Sequence, residues 1–521
     1  MKYLYLTLLS LTILVAQAQQ PEDALKLTYQ PQFGTARNMA IGGAMIGLGG
    51  EITAAHTNPA GLGFYKNGEF VLSPGLTLIN KNTYNYRGTN NQDNAKGNQN
   101  VNMGTSGLVL AGKIDGRKTK SIALSLTANK IADYNNNFAY KGFNNNSSAA
   151  ERYAEEFSAA KQTIDQAIDN PFLSLGTRLA LYTYLVDTLT LGGRKQVVAM
   201  PEFTNGVNQT RNEITTGGAN EYSLGIAANK DEKLFVGGSL SIPIIRYNRT
   251  TNYSETDAAN TPNNGFNNYT FTETLQTRGT GVNIKLGLIY RPIEQLRIGA
   301  TIHSPSVYSM NDRSTGSMFT RTENLPSITP RTLANTSNFS EQVFTNGAPN
   351  ISNKYTFTTP WKLGAGISYV FRETENVKRQ RAFIAADIEY VTNTTMQYTG
   401  VDADGNTTAQ YAATNAAIKD IYRNTINAKI GAELKMNIFM LRAGAAYFGN
   451  PNKDASTLKQ NRVHLSAGLG YRHKGIFIDA TYVHQMGNVV DMPYRLGDKP
   501  NTFATGTSTV GMAMLTIGTK F

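Results

Sequence analysis

From residue 69 onward apolar and polar residues alternate one by one in repeated runs, the period of strands that bury one face and wet the other. In one run Val282, Ile284, Leu286, Leu288 and Tyr290 share a face against Asn283, Lys285 and Gly287. A second places Ile426, Ala428, Ile430, Ala432 and Leu434 against Asn427, Lys429 and Glu433. The alternation predicts fourteen strands, at 69–79, 101–113, 119–132, 218–229, 233–248, 269–291, 295–309, 353–371, 382–398, 423–435, 437–449, 460–473, 475–486 and 507–521. Short links such as 231–232 and 292–294 alternate with long ones rich in Asn, Thr and Gly. Short turns at one end and long loops at the other characterise a transmembrane β-barrel, so the predicted fold class is all-β, a 14-stranded antiparallel barrel.

The polar phase of these strands carries Arg297, His303, Lys362, Asp387, Glu389, Arg442, His464, Arg472 and Asp479. A charge facing lipid at mid-depth costs about 2–4 kcal/mol, so these residues must face the lumen. Tyrosines near the strand ends (290, 369, 390, 447, 471 and 482) and the lone Trp361 suit the two aromatic girdles. The last predicted strand closes on Leu515, Ile517, Thr519 and Phe521. Lys2, the apolar stretch Tyr3 to Val15 and Ala16-Gln17-Ala18 read as an export signal over residues 1–18, placing the mature start at Gln19. That stretch is too short to cross a bilayer as a helix, which takes about 20 residues. Together these features predict a multi-pass barrel of a bacterial outer membrane, surrounded by outer-membrane lipid and lipopolysaccharide and present as a monomer.

Composition narrows the alternatives. The absence of cysteine excludes a lipid-anchored N-terminus, a disulfide framework and thiol chemistry. Charged residues make up 17% of the chain, less than the usual quarter or so in soluble domains. The net charge of +12 is scattered without a basic run, so no nucleic-acid partner is expected. The five histidines (56, 303, 464, 473 and 484) show no metal spacing, and no serine stands beside an activating base. No catalytic residue, metal or cofactor is therefore expected. His56 reads as a structural hydrogen-bonding group, and His464 with Asp479 as a lumen contact.

Residues 19–68 contain a dense small-residue run from Gly34 to Tyr65 that ends in the turn Asn58, Pro59, Ala60, Gly61 and Leu62. A compact element ahead of the first strand of a barrel would serve as a plug. This run resembles the N-terminal hatch of the FadL/TodX family of outer-membrane transporters for long-chain fatty acids and hydrocarbons. The stretches Gly279 to Pro292, Leu296 to Pro305 and Thr359 to Phe371 are similar to its central strands. The resemblance implies a hatch inside the barrel (19–68), a barrel over 69–521, capture of an apolar ligand at extracellular loops, and sideways exit at a kink in the third strand. Alternation in strand 3 blurs at Ala128, Asn129 and Lys130, the candidate kink.

The longest link, 133–217, predicts helices. Tyr153, Phe157, Ala160, Ile164 and Ile168 recur at helical spacing, and Asn170-Pro171 offers a start for a second helix carrying Leu175, Leu179, Tyr182, Leu185 and Val186. Phe157, Ile164, Leu175, Leu179, Tyr182 and Leu185 are the candidate apolar capture residues; the competing reading packs them on one another and on the barrel rim. Lys130, Arg178 and Arg211 read as solvated cations. The expected function is passive uptake of a hydrophobic small molecule, without a motif for energy coupling at 19–28. A general porin for polar solutes and an adhesin or surface-structural barrel are the alternatives.

Overall fold

The structure is a computed structural model that describes residues 21–28, 33–92, 100–113, 119–170, 173–324, 337–341, 351–371, 381–401 and 406–521. The expected export signal lies outside these residues. Fourteen antiparallel strands form one continuous wall: β1 (Glu69–Leu72 and Pro74–Tyr86), β2 (Asn100–Met103 and Ser106–Lys113), β3 (Thr119–Asp133, continued by Asn136–Asn144), β4 (Val207–Lys230), β5 (Leu234–Asp257), β6 (Phe266–Tyr290), β7 (Leu296–His303 and Val307–Thr322), β8 (Ile351–Thr358 and Lys362–Phe371), β9 (Ala382–Val391 and Gln397–Val401), β10 (Thr425–Met436), β11 (Phe439–Phe448), β12 (Arg462–His473), β13 (Ile476–Asp491) and β14 (Ala504–Lys520). Each pairs with its sequence neighbours, and β14 returns to β1 through Glu69↔Lys520 and Gly75↔Met514, so the wall closes into a barrel.

The short turns hold the backbone that their residues allow. Lys474-Gly475 joins β12 to β13 with φ of 47° and 85°, the left-handed pair of a tight hairpin, where glycine removes half the strain. Outside the barrel the predicted apolar phase is exposed as a belt that includes Leu240, Ile284, Leu286, Ile367, Ile430 and Leu469. Inside, the predicted polar phase is buried or half-buried, and its strongest contacts are ion pairs. Arg442 binds Glu433 and Asp479, each at 2.6 Å, and Arg37 adds a second cation to Glu433 at 3.2 Å. His464 and Asp479 do not meet: Arg442 claims the carboxylate, and the imidazole packs 4.7 Å from the Phe448 ring.

Several strands run farther toward the loops than the sequence reading placed them, β1 to Tyr86, β5 to Asp257, β7 to Thr322 and β13 to Asp491. β3 runs to Asn144 and β4 starts at Val207, so the long link covers 145–206 rather than 133–217. The extra residues still alternate, with Phe138 and Tyr140 buried inside, but their outer face mixes Asn137, Lys141, Asn208 and Thr210 with Phe143 and Ile214 and gives no continuous lipid signal. Within the link the expected first helix is two, α4 (Ala150–Ala160) and α5 (Ile164–Asp169), broken where Lys161 turns left-handed at φ 51°. The next, α6 (Leu175–Tyr182), is capped by Ser174, whose Oγ accepts from the Thr177 amide at 3.2 Å. Pro171 lies outside the described residues. Leu185 and Val186 fall beyond α6, and Val186–Leu191 forms a hairpin with Arg194–Ala199.

Residues 33–68 fill the lumen with α2 (Ala36–Ala40), α3 (Ala54–Thr57) and a 3-10 turn (Pro59–Phe64). They lie hard against the wall because the wall presents glycine to them. A methyl group built on Gly431 would stand 2.2 Å from the Ile41 carbonyl oxygen; on Gly444, 2.2 Å from the Gly42 nitrogen; on Gly299, 2.1 Å from the Ile46 oxygen; on Gly287, 1.8 Å from Asn58 Oδ1. These distances are far inside van der Waals contact, so no larger residue fits unless the plug moves.

Candidate functional site

The turn Asn58, Pro59, Ala60, Gly61 and Leu62 fastens the plug to the wall. Asn58 caps the 3-10 turn by accepting from the Ala60 amide at 3.2 Å. Its amide nitrogen donates to the Ile46 carbonyl at 2.7 Å and reaches the carbonyls of Leu288 (3.3 Å) and Ala300 (3.4 Å) on β6 and β7. Pro59 lies so close to β5 that a methyl on Gly237 would sit 2.5 Å from its carbonyl. Gly61 packs on Gly49 and Ala54, and Ala60 and Leu62 are wholly buried. Further bonds tie the plug around the ring: Arg297 donates to the Leu48 carbonyl at 2.6 Å, Asp387 accepts from the Ile46 amide at 2.8 Å, and Thr516 accepts from the Ala36 amide at 2.7 Å.

His56 joins α3 to the wall. Its Nδ1 lies 2.8 Å from Glu221 and its Nε2 2.9 Å from the Thr127 hydroxyl of β3. Burial holds its pKa below the ordinary histidine range, against the pull of Glu221. Asn283 donates to Glu221 at 2.9 Å, Lys285 also binds that carboxylate, and Ser223 meets Ser241 at 2.6 Å. His56 is thus one member of a buried polar network in which both of its ring nitrogens have partners, in keeping with a structural role.

Just beyond Thr127 the wall is interrupted. The β2–β3 ladder runs from Lys113↔Ser121 to Ser106↔Ala128 and ends there, and the outer part of β2, Asn100–Met103, pairs with β1 instead. Among the described residues, Asn129 to Asp133 have a ladder partner only in β4. That ladder is itself irregular: Lys130 faces Asn220 and Ala132 faces Ala219, so Ile131 is an extra residue, a β-bulge. The candidate kink at Ala128, Asn129 and Lys130 therefore spans the end of one ladder, and the bulge follows one residue later. Asn80 and Asn82 of β1 re-join β3 farther out, at the Asn135 carbonyl (2.9 Å) and Asn136 (2.6 Å). Across the gap Thr105 donates to Asn129 at 3.1 Å, and Lys130 binds Asn102 and pairs with Asp133 at 3.1 Å. Phe33 and Gly34 of the plug back the gap from inside: Lys130 lies 5.7 Å from the Phe33 ring, and a methyl on Gly104 would meet the Gly34 oxygen at 2.1 Å.

The bulge turns both Ile131 and Ala132 inward, into an apolar cluster that sequence reasoning missed. Tyr134, Tyr247, Tyr308, Tyr355, Tyr398 and Tyr411 line it together with Met310, Phe357 and Met396. Rings stand 5.6 Å apart at Tyr355 and Tyr398, and 4.9 Å at Phe357 and Tyr398. The hydroxyls of Tyr247 and Tyr398 are buried with no hydrogen-bond partner among the described residues. Helix α1 (Pro21–Thr28) packs into this cluster, with Ala24 and Leu27 among the rings and Tyr422 donating to the Pro21 carbonyl at 3.2 Å. Ion pairs hold its polar side: Lys26 with Glu213 at 3.2 Å, Asp23 with Arg249 at 3.0 Å and Glu22 with Arg495 at 2.7 Å. Burial works against the Lys26 charge, but Glu213 outweighs it and the ammonium pKa is raised. A period-2 signal for the inward tyrosines exists in the sequence at Tyr308, Met310 and Asp312, and at Tyr355 and Phe357.

The six candidate capture residues lie together at the loop end. Phe157, Leu179 and Leu185 are buried in a cluster with Tyr253, Tyr269 and Phe271 of the rim, Ile164 and Leu175 pack against it, and Tyr182 is exposed. Of the cations read as solvated, none is: Lys130 is paired at the gap, Arg178 is buried and donates to the Ile168 carbonyl at 2.7 Å, and Arg211 binds Asp491 at 2.9 Å. Each fills a carboxylate or carbonyl that burial would otherwise leave bare.

No family model matches the sequence, and no curated protein matches it. Solved structures do. A FadL homologue of Pseudomonas aeruginosa is similar over 95% of this chain and 100% of its own, at 13% identity and a TM-score of 0.51. The toluene transporter TodX of Pseudomonas putida is similar over 94% of this chain and 99% of its own, with the same identity and TM-score. At this level of identity the likeness establishes the fold: the chain folds as the FadL homologue and TodX do.

Proposed function

We propose that the protein is a FadL/TodX-type transporter of the bacterial outer membrane, a monomer that takes up hydrophobic small molecules passively. The observation that carries this reading is the juxtaposition of a tyrosine-rich apolar cluster with the interrupted β2–β3 wall, together with a plug packed hard against the wall. An apolar molecule would gain nothing from the charged lumen beneath, where Arg442, Glu433 and Asp479 lie, and would lose little by leaving sideways between β2 and β3. The apolar rings suit a fatty acid or an aromatic hydrocarbon, and the unpartnered hydroxyls of Tyr247 and Tyr398 offer hydrogen bonds to a polar head. Capture begins at the loops, where exposed Tyr182 and the flanking Ile164 and Leu175 edge a cluster built on Phe157, Leu179 and Leu185.

A cysteine-free chain allows a clean test. Cysteines replacing Thr105 and Asn129, whose side chains touch across the gap, can be joined by a short cleavable thiol cross-linker. Uptake of a radiolabelled fatty acid and of toluene by cells producing the variant should fall to background on cross-linking and return on cleavage. Unchanged uptake through the sealed wall would rule out the lateral route.

A further inference from the structure

A second feature lies on the outside of the wall, toward the loops. Arg246 of β5 is directly opposite Arg278 of β6. The same cross-strand row continues through Asn311 of β7 to Lys354 of β8, and Arg313 stands two residues farther along β7. All four cations are exposed, on the phase of their strands that faces away from the lumen. Directly opposed side chains start about 5 Å apart, and like charges at that spacing destabilise a sheet. The cost is not relieved by neighbouring acids. Among the described residues none of the four has a carboxylate partner, and Arg278 donates only to Asn248 (2.9 Å) and to the carbonyls of Tyr247 (3.2 Å) and Thr277 (2.9 Å). Glu255 and Asp312 are buried on the inner phase, and Glu273 turns to Arg249. The outward neighbours Asn248, Gln276, Thr280, Ser309 and Thr356 are uncharged.

The row has a fixed place relative to the apolar belt. Exposed Ile242 and Val282 lie four residues from Arg246 and Arg278 along their strands, and Val307 and Leu363 continue the belt on β7 and β8. The cations therefore stand at the loop-side edge of the belt, at the depth of lipid headgroups. Guanidinium pairs at this spacing match the forked geometry of a phosphate. We infer that Arg246, Arg278, Arg313 and Lys354 form a docking site for the phosphate groups of an outer-leaflet glycolipid, with bisphosphorylated lipid A as the chemical type. The inference rests on the outer-membrane reading, because only there does a phosphorylated glycolipid fill the facing leaflet.

The test uses the full mature chain reconstituted into phosphatidylcholine nanodiscs doped with bisphosphorylated or enzymatically dephosphorylated lipid A. Native mass spectrometry then counts the glycolipid retained per protein. The wild type should retain the phosphorylated form preferentially, and R246Q/R278Q should reduce that retention by about thirtyfold, the combined effect of two headgroup-level cations. R313Q/K354Q should reduce it in the same direction, whereas Lys233→Gln in a turn at the opposite end should not. Both double variants remove repulsion and are expected to fold at least as well as the wild type. Equal retention of the two lipids, or retention unchanged in the variants, would overturn the site. Inorganic phosphate displacing the glycolipid at millimolar concentration would also overturn it, by showing a free-anion site. A chain that fails to insert into any nanodisc would overturn the membrane reading instead.

Discussion

A single amide side chain carries much of the attachment between plug and barrel. Asn58 bridges its own turn, the Ile46 carbonyl and two strands of the wall. Asn58→Ala would leave buried carbonyls without a donor, at a cost of about 2–3 kcal/mol. The loss should appear as faster hydrogen–deuterium exchange of amides in the plug while the strands keep their protection; uniform exchange throughout would mean that the turn is not an anchor. Glycines facing the plug carry the complementary role. Gly431→Val would force side-chain atoms into the Ile41 carbonyl, an overlap costing at least about 1–3 kcal/mol unless the plug shifts. In a planar bilayer the variant should show a resting ion current that the wild type lacks. Neither effect was legible in the sequence, because a glycine on the polar phase has no side chain to announce what it faces. Gly287 reads simply as a member of the polar face until the structure places Asn58 against it.

Among the elements, the strands were the most legible and the connections the least. Lipid imposes a strict choice on alternate residues, and that choice located all fourteen strands, including the short turn at Lys474-Gly475. Where strands leave the lipid the outer face becomes mixed, and alternation survives mainly as inward aromatic residues such as Phe138 and Tyr140. This is why β3 and β4 read short, and why the apolar cluster containing Tyr134 and Tyr247 escaped notice. Helix α1 was missed for a different reason: its lysine and acids look solvated but are paired inside the lumen. Removing residues 21–28 should open a space among these rings, and titration with an apolar fluorophore should then show tighter or additional binding; no change would place the ligand elsewhere. In the loop, the left-handed break at Lys161 is strained for a side chain. Lys161→Gly should stabilise the α4–α5 corner by about 1 kcal/mol, read as slower exchange of amides in Ala150–Ala160.

For the molecule as a whole, stability is a matter of two faces in two solvents. The belt must remain apolar around its circumference, whereas the lumen tolerates charge where opposite charges meet, as Arg442 meets Glu433 and Asp479. Ile284→Arg, at an exposed belt position, should cost about 2–4 kcal/mol, measured as a lower denaturant midpoint for folding into lipid vesicles. The wall is closed by contacts between its two ends: Gly68 and Phe521 exchange backbone hydrogen bonds of 3.0 and 3.1 Å. That seam has a consequence for assembly. The plug immediately precedes β1 and is bonded to strands as late in the chain as β12 and β14, at Ser466 and Thr516. Its binding surface thus does not exist until almost the entire chain has been threaded into the membrane, and it must be indoors before the last zipper is drawn. The natural order of events is a curved, half-built sheet that gathers the plug as a template and then shuts around it, so that folding ends with cargo already sealed inside.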